Sequence, residues 1–261
     1  MRMAINLRAL AVLLILSCVA AKDDGRAADA AAPPVLVELF TSEGCSSCPS
    51  ADEFLEQMDA AQPVPGVQLI VLSEHVDYWN HDGWKDPYSS ASVTERQSGY
   101  VRSLRLNTPY TPQFIVDGAN ELKGGGPEVT QILLKASAAP KVAVRINSLR
   151  VESGSPALLK AHIDVDGTSQ KHSAEIFVVM ALDHAESQVL RGENTGRHLT
   201  HVAVAQEFVK IGKLEKQKAF SQDLQVKLKP GTDPANIRLI AFVQEPGLGK
   251  VLGTALQKIA Q

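Results

Sequence analysis

Two cysteines in the run Cys45-Ser46-Ser47-Cys48 are the residues best placed to do chemistry. Two intervening residues on a turn that opens a helix bring both sulfurs within disulfide reach. A cysteine at a helix N-terminus meets unpaired N–H groups and the helix dipole, which favour its thiolate. Cys45 is then the nucleophile that attacks a disulfide, and Cys48 resolves the mixed disulfide. Pro49 follows at once and suits a first helical turn, whose amides have no intrahelical acceptor. Other uses of the pair stay open. A structural disulfide closing so small a loop gains little chain entropy. A four-thiolate zinc site needs a second Cys-x-x-Cys, and the sequence has none. Cys45, Cys48 and His75 could bind Cu(I), which thiolates suit, although no Met-rich tract accompanies them.

The elements around the pair follow from apolar period. Val35 to Phe40 is apolar except for Glu38 and reads as a buried strand. Ala51, Phe54, Leu55 and Met58 recur at helical spacing between Ser46 and Ala60. Val67 to Leu72 predicts a second strand, Val93 to Leu104 a helix, and Phe114 to Val116 a short strand. Asp117-Gly118 is a hairpin signal, and Pro127 opens a last helix that runs to Ala138. The order strand, helix, strand, helix, hairpin, helix resembles that of thioredoxin-like proteins. That resemblance implies a cis-proline facing the cysteines, and Thr111-Pro112 stands in the right order for it. It also implies a buried acid that handles protons during resolution, a role Glu38 would fill with its register displaced by one residue.

Beyond Pro140 the apolar period changes to two, as in Leu159, Ala161, Ile163 and Val165. Further strands at such spacing predict a β-sandwich-like domain. The expected organisation is a leader and tail over residues 1–30, an α/β thioredoxin-like domain over 33–139, and an all-β sandwich-like domain over 140–261.

Between the second strand and second helix lies HVDYWNHDGWKDPY, starting at His75. It carries both tryptophans, Trp79 and Trp84. Such density on a loop shapes a site or packs the loop on itself. With Thr111, these tryptophans and His75 are the candidate substrate-binding residues, Trp79 or Trp84 at the rim of the Cys45 site. His75 has the alternative of a hydrogen-bonded core histidine. Further on, RGENTGRHLTHVAV from Arg191 has the glycines and asparagine of a tight loop. Glu193, Arg197, His198 and His201 could bind a partner or close over the first domain, and the simpler expectation is a hairpin on which Glu193 and Arg197 pair.

These two segments, with VELFTSEGCSSCPSAD from Val37 and YTPQFIVDG from Tyr110, resemble domain of unknown function 1223. The four matches run in order over almost all of the mature chain. Ser50 departs from the pattern, where proline is expected. The resemblance implies secretion, the thioredoxin-like fold and a C-terminal β-domain, and it names no substrate.

The N-terminus has the parts of a secretory signal. Arg2 and Arg8 precede an apolar run from Ala9 to Leu16, with small residues at Ser17, Ala20 and Ala21. Ile15-Leu16-Ser17-Cys18 also has the form of a lipoprotein box, with Cys18 as the anchored residue. Either places the protein in the periplasm or outside the cell. The formal charge of −3 over 261 residues offers no basic surface to nucleic acid. Of three cysteines, two remain after the leader, too few for a disulfide-stapled scaffold.

The expected function is therefore an exported thiol–disulfide oxidoreductase without cofactor or metal. Cys45, Cys48, Pro112 and Glu38 form its catalytic set. The Ser-Ser pair and nearby Glu43 oppose a very acidic thiolate, which favours a reductase or isomerase over a strong oxidant. Its partners would be protein thiols and disulfides, with electrons from a membrane protein. The alternatives are a copper-binding protein and a binding module in which the cysteines are incidental.

Overall fold

The computed structural model describes residues 33–123, 126–167 and 173–259; the leader and Cys18 lie outside them. Elements fall where the apolar period placed them. The first half holds β1 (Val35–Thr41), α1 (Pro49–Ala61), β2 (Leu69–His75), α2 (Ala91–Ser103), β3 (Gln113–Val116), β4 (Asn120–Leu122) and α3 (Pro127–Ser137). The second half is β5 (Val144–Glu152), β6 (Leu158–Val165), β7 (Ala174–Gln188), β8 (His198–Leu214), β9 (Phe220–Lys227), β10 (Ile237–Gln244) and β11 (Val251–Lys258).

The arrangement of these elements corrects the expected fold. The chain is not an α/β thioredoxin-like domain followed by an all-β sandwich-like domain. One mixed sheet of eight strands runs in the order β11-β10-β7-β8-β2-β1-β3-β4, taking four strands from each side of Pro140. A second sheet, β5-β6-β9, has three strands. The two halves of the large sheet meet where Ser73 of β2 pairs with Val204 of β8. The physical reason is simple. A two-residue period identifies a strand and its buried face, but not which strand receives its edge N–H and C=O groups.

Alternation along the strands sorts the cores. Val35, Val37 and Leu39 of β1 pack with Ala51, Leu55 and Met58 of α1 and with Val129 and Leu133 of α3. Leu36 and Phe40 face the other side. There α2 packs Val93 and Tyr100 against Phe40 and Ile115. The large sheet folds back on that side, so Leu36, Ile70 and Leu72 meet Val179, Ile240, Phe242 and Val251. The three-stranded sheet covers the far half, Leu159 and Ile163 lying with Ile176, Val178 and Leu239. Among the described residues no helix is long and apolar enough to cross a membrane.

Candidate functional site

The cysteines sit where β1 gives way to α1. Ser42 starts the turn: its hydroxyl accepts from Gly44 N at 3.1 Å and its carbonyl from Cys45 N at 3.1 Å. Cys48 N then donates to the Cys45 carbonyl at 3.2 Å. Cys48 is the N-cap of α1, its carbonyl accepting from Ala51 N and Asp52 N, and Pro49 follows in the first turn. Cys45 and Cys48 are joined as a disulfide, with Cα atoms 5.4 Å apart. Both cysteines are buried, at 1% and 0% relative exposure, while Ser46 and Ser47 between them face solvent. The bond before Pro112 is cis, and the Thr111 carbonyl oxygen lies 3.8 Å from Cys45 Sγ.

Two segments distant in sequence cover the pair. Trp79 packs on the cysteine loop, and a Cβ on Gly44 would stand only 2.9 Å from the Trp79 Cβ. The Trp79 indole N–H donates to Thr111 Oγ1 at 2.8 Å, joining two of the expected substrate-binding residues beside Cys45. Trp84 turns the other way, its indole N–H donating to the Glu43 carboxylate at 2.7 Å. The second segment is the tip of the β7–β8 hairpin. Asn194, buried, donates through its amide to the carbonyls of Glu43 at 2.8 Å and Cys45 at 3.0 Å. The Glu193 carboxylate accepts from Ser46 N at 3.0 Å, so the expected Glu193–Arg197 hairpin pairing gives way to contact with the cysteine loop. These bonds to Ser46 hold the Glu193 carboxyl below its usual range. Gly192, at φ +79°, lets the tip lie against the Asp82 carbonyl and Trp84.

Beneath the turn lies a buried cluster of ionisable groups, contributed by β2, β8, α1 and the aromatic loop. His75, at the end of β2, faces Asp86 through Nδ1 at 2.7 Å. Asp86 also accepts from Glu43 N at 2.9 Å. His201 Nε2 lies 3.2 Å from the Glu43 carboxylate, and its Nδ1 lies 3.8 Å from Asp52. The His75 and His201 rings meet edge to face at 4.6 Å, with Tyr88 against both. The Asp52 carboxylate oxygens, His75 Nε2 and His201 Nδ1 have no hydrogen-bond partner among the described residues. Burial raises the Asp52 carboxyl above its ordinary value, against the pull of His201 and His75. For His75 burial opposes the charged form, but Asp86, backed by Asp52 and Glu43, outweighs it and raises the imidazole. Asp86 is lowered, burial being overcome by His75 and by the Glu43 and Tyr88 amides.

The expected site residues therefore separate. Cys45, Cys48, Thr111, Pro112 and Trp79 come together. Trp84 supports the turn through Glu43, and His75 joins the buried cluster. Cys45, Cys48 and His75 do not form a ligand set, and no trio of His, Cys, Asp or Glu among the described residues is arranged to hold a metal ion. Glu38 lies elsewhere. Strand alternation puts it with Leu36 and Phe40, on the sheet face opposite α1. There it accepts from Arg96 Nε at 2.9 Å and from Tyr100 at 2.6 Å. The sequence reading missed Asp52, Asp86 and Asn194. Asp52 had a signal, since it stands four residues after Cys48 on one helix face. Asp86 had one too, lying in the same polar aromatic run as His75, eleven positions on. Asn194 had none, because its partners lie 151 and 149 positions away.

No curated protein sequence matches the chain. Among solved structures, a crystal structure of an Agrobacterium tumefaciens protein, a structural-genomics target, is similar at 24% identity and TM-score 0.64. The match covers 86% of this chain and 93% of that one, and it shows a shared fold. A domain of the outer membrane lipoprotein Omp28 from Porphyromonas gingivalis is similar at 12% identity and TM-score 0.28, over 46% of this chain and 88% of that one. The family described as "Protein of unknown function (DUF1223)" matches residues 36–244, which include the cysteine turn, the aromatic loop, Pro112 and the hairpin tip. The chain belongs to that family.

Proposed function

We propose that the protein is an exported thiol–disulfide oxidoreductase of the reductase or isomerase kind, working through Cys45 and Cys48. The observation that carries this reading is the placement of the disulfide at the N-terminus of α1, with the Thr111 carbonyl 3.8 Å from Cys45 Sγ. The helix N-terminus favours a thiolate. The Thr111 backbone offers an extended client an acceptor beside the reacting sulfur.

The electron balance is that of ordinary exchange. The Cys45 thiolate attacks one sulfur of a client disulfide, and the other client sulfur leaves as a thiolate. The Cys48 thiolate then attacks Cys45 Sγ, forming the internal disulfide and releasing the second client thiolate. The client gains two electrons, and a dithiol donor, here expected in a membrane protein, restores the reduced pair. Cys48 must lose a proton before it attacks. Asp52, one turn along the same helix face, carries a raised pKa suited to accept it. Glu38, held by Arg96 on the other face, takes no part in this step.

The test is to trap clients with Cys48→Ser, in which mixed disulfides cannot resolve. Protein partners joined through Cys45 support the reading. A structural disulfide is the competing reading, favoured by the burial of both sulfurs. The reduction potential separates the two. Structural disulfides lie below about −300 mV. A value there, with no trapped partner, would reject the oxidoreductase.

A further inference from the structure

We infer that the tip of the β7–β8 hairpin is a redox-responsive lid, closed on the disulfide and released when Cys45 becomes a thiolate, with Glu193 and Asn194 as its positioning residues. The inference rests on cycling of the pair between disulfide and dithiol. The tip holds the cysteine turn through two side chains. Glu193 takes the Ser46 amide at 3.0 Å, and Asn194 takes the carbonyls of Glu43 and Cys45 at 2.8 and 3.0 Å. Around them Leu190, Arg191, Glu193, Thr195, Gly196 and Arg197 face solvent, Leu190 with 67% of its surface. A tip that lets go therefore moves into water and uncovers little apolar core.

The chemistry of the pair acts on this contact. In the disulfide both sulfurs are neutral, and the Ser46 amide, next to Cys45, is free to bind the Glu193 carboxylate. Reduction and ionisation put a full negative charge on Cys45 one residue from that amide. The same turn already contains the Glu43 carboxylate, buried and held by the Trp84 indole and His201. The thiolate and the Glu193 carboxylate then compete for one positive helix end and repel each other across a partly desolvated gap. Glu43 is buried and fixed, whereas Glu193 is exposed and has water as an alternative. Glu193 is thus the anion that leaves, and the tip keeps only the Asn194 amide bonds and the packing of Gly192 on Trp84, too little to hold it closed. The consequence is directional: the reduced protein presents Cys45 to a disulfide client, and re-formation of Cys45–Cys48 closes the lid and expels the product.

Trypsin reads the lid directly, because Arg191 and Arg197 flank its tip and are exposed. The full mature chain would be digested at pH 9, where a thiol of ordinary pKa, about 8.5, is mostly ionised. Cleavage at the two arginines would be followed by mass spectrometry. The oxidised protein is expected to be cut slowly there. Cys48→Ser, which carries a Cys45 thiolate, is expected to be cut about tenfold faster. The Cys45→Ser/Cys48→Ser double variant, with neither cross-link nor thiolate, should return to the slow rate. So should Glu193→Gln in the Cys48→Ser background, whose uncharged amide oxygen still accepts from Ser46. Equal rates for the oxidised protein and Cys48→Ser would overturn the lid. A fast double variant would also overturn it, since loss of the cross-link rather than charge would then free the tip. The oxidoreductase reading is judged separately by client trapping: a responsive tip without clients sinks that reading and leaves the lid, and clients with an unresponsive tip do the reverse.

Discussion

On the proposed reading, Asp52 is the side chain on which the proton chemistry of the site turns. Replacing it with Asn removes the acceptor and keeps the shape. Resolution of a mixed disulfide should slow by about 10²-fold, within the span usual for a lost general base, read by stopped-flow with a fluorescent peptide disulfide. Stability should move the other way. A carboxyl whose folded pKa is raised stabilises the fold fully below its unfolded pKa, and that contribution is lost as pH rises through the folded value. Asn cannot ionise, so Asp52→Asn should gain in denaturant midpoint over wild type as pH rises through that window. A parallel pH profile for the two proteins would refute the assignment. The tryptophans divide by their partners. Trp79→Ala should weaken reduction of protein clients more than reduction of oxidised glutathione, because Trp79 flanks Cys45 through Thr111. Trp84→Phe should cost about 1–3 kcal/mol of stability by leaving a buried Glu43 oxygen without its donor. The bonded cysteines, the cis bond before Pro112 and the placement of Trp79 beside Thr111 were legible because residue type and order point to them. Glu38 was misplaced because a one-residue slip in a strand exchanges the faces of the sheet.

Buried ion pairs join the elements alongside their apolar contacts. Arg96 of α2 reaches Glu38 of β1, Glu74 of β2 and Gln244 of β10, and stacks over Tyr100, Phe208 and Phe242. Both carboxylates are fully buried. Arg96→Met should therefore cost about 3–5 kcal/mol in urea unfolding, since removing one partner strands a buried charge. Glu74 behaves in the opposite sense. Burial and the adjacent Glu38 raise its pKa well above the usual carboxylate value. Its contribution, like that of Asp52, is lost as pH rises through the folded pKa. Glu74→Gln should stabilise the protein increasingly as pH rises through the folded pKa of Glu74, read from the denaturant midpoint. The strands and helices themselves could be read from apolar period and turn residues. Their neighbours could not, because β2 and β8 are joined by backbone pairing over a long sequence separation, about which side-chain period is silent.

At the scale of the molecule, the cysteine turn belongs to both halves of the chain. β2 pairs with β8, Asn194 and Glu193 hold the turn, His201 completes the buried cluster, and Arg238 of β10 pairs with Asp59 of α1. Residues 33–139 expressed alone would leave the edge of β2 unpaired and Leu36, Ile70 and Leu72 without Ile240, Phe242 and Val251. That fragment should be insoluble, or show no cooperative thermal transition by circular dichroism. A soluble, cooperatively melting fragment would contradict this account. A boundary at Pro140 looked natural in the sequence because the apolar period changes there. A change of period marks a change of element type, and a single sheet can run through it.

The distance along the chain between the cysteines and their cover also orders events in time. Cys45 and the Asn194 side chain that holds it are 149 positions apart. Made from the N-terminus at about 5–20 residues per second, the chain carries both thiols for on the order of ten seconds before that side chain exists. Through this interval the sulfurs lack the cover that the hairpin later supplies.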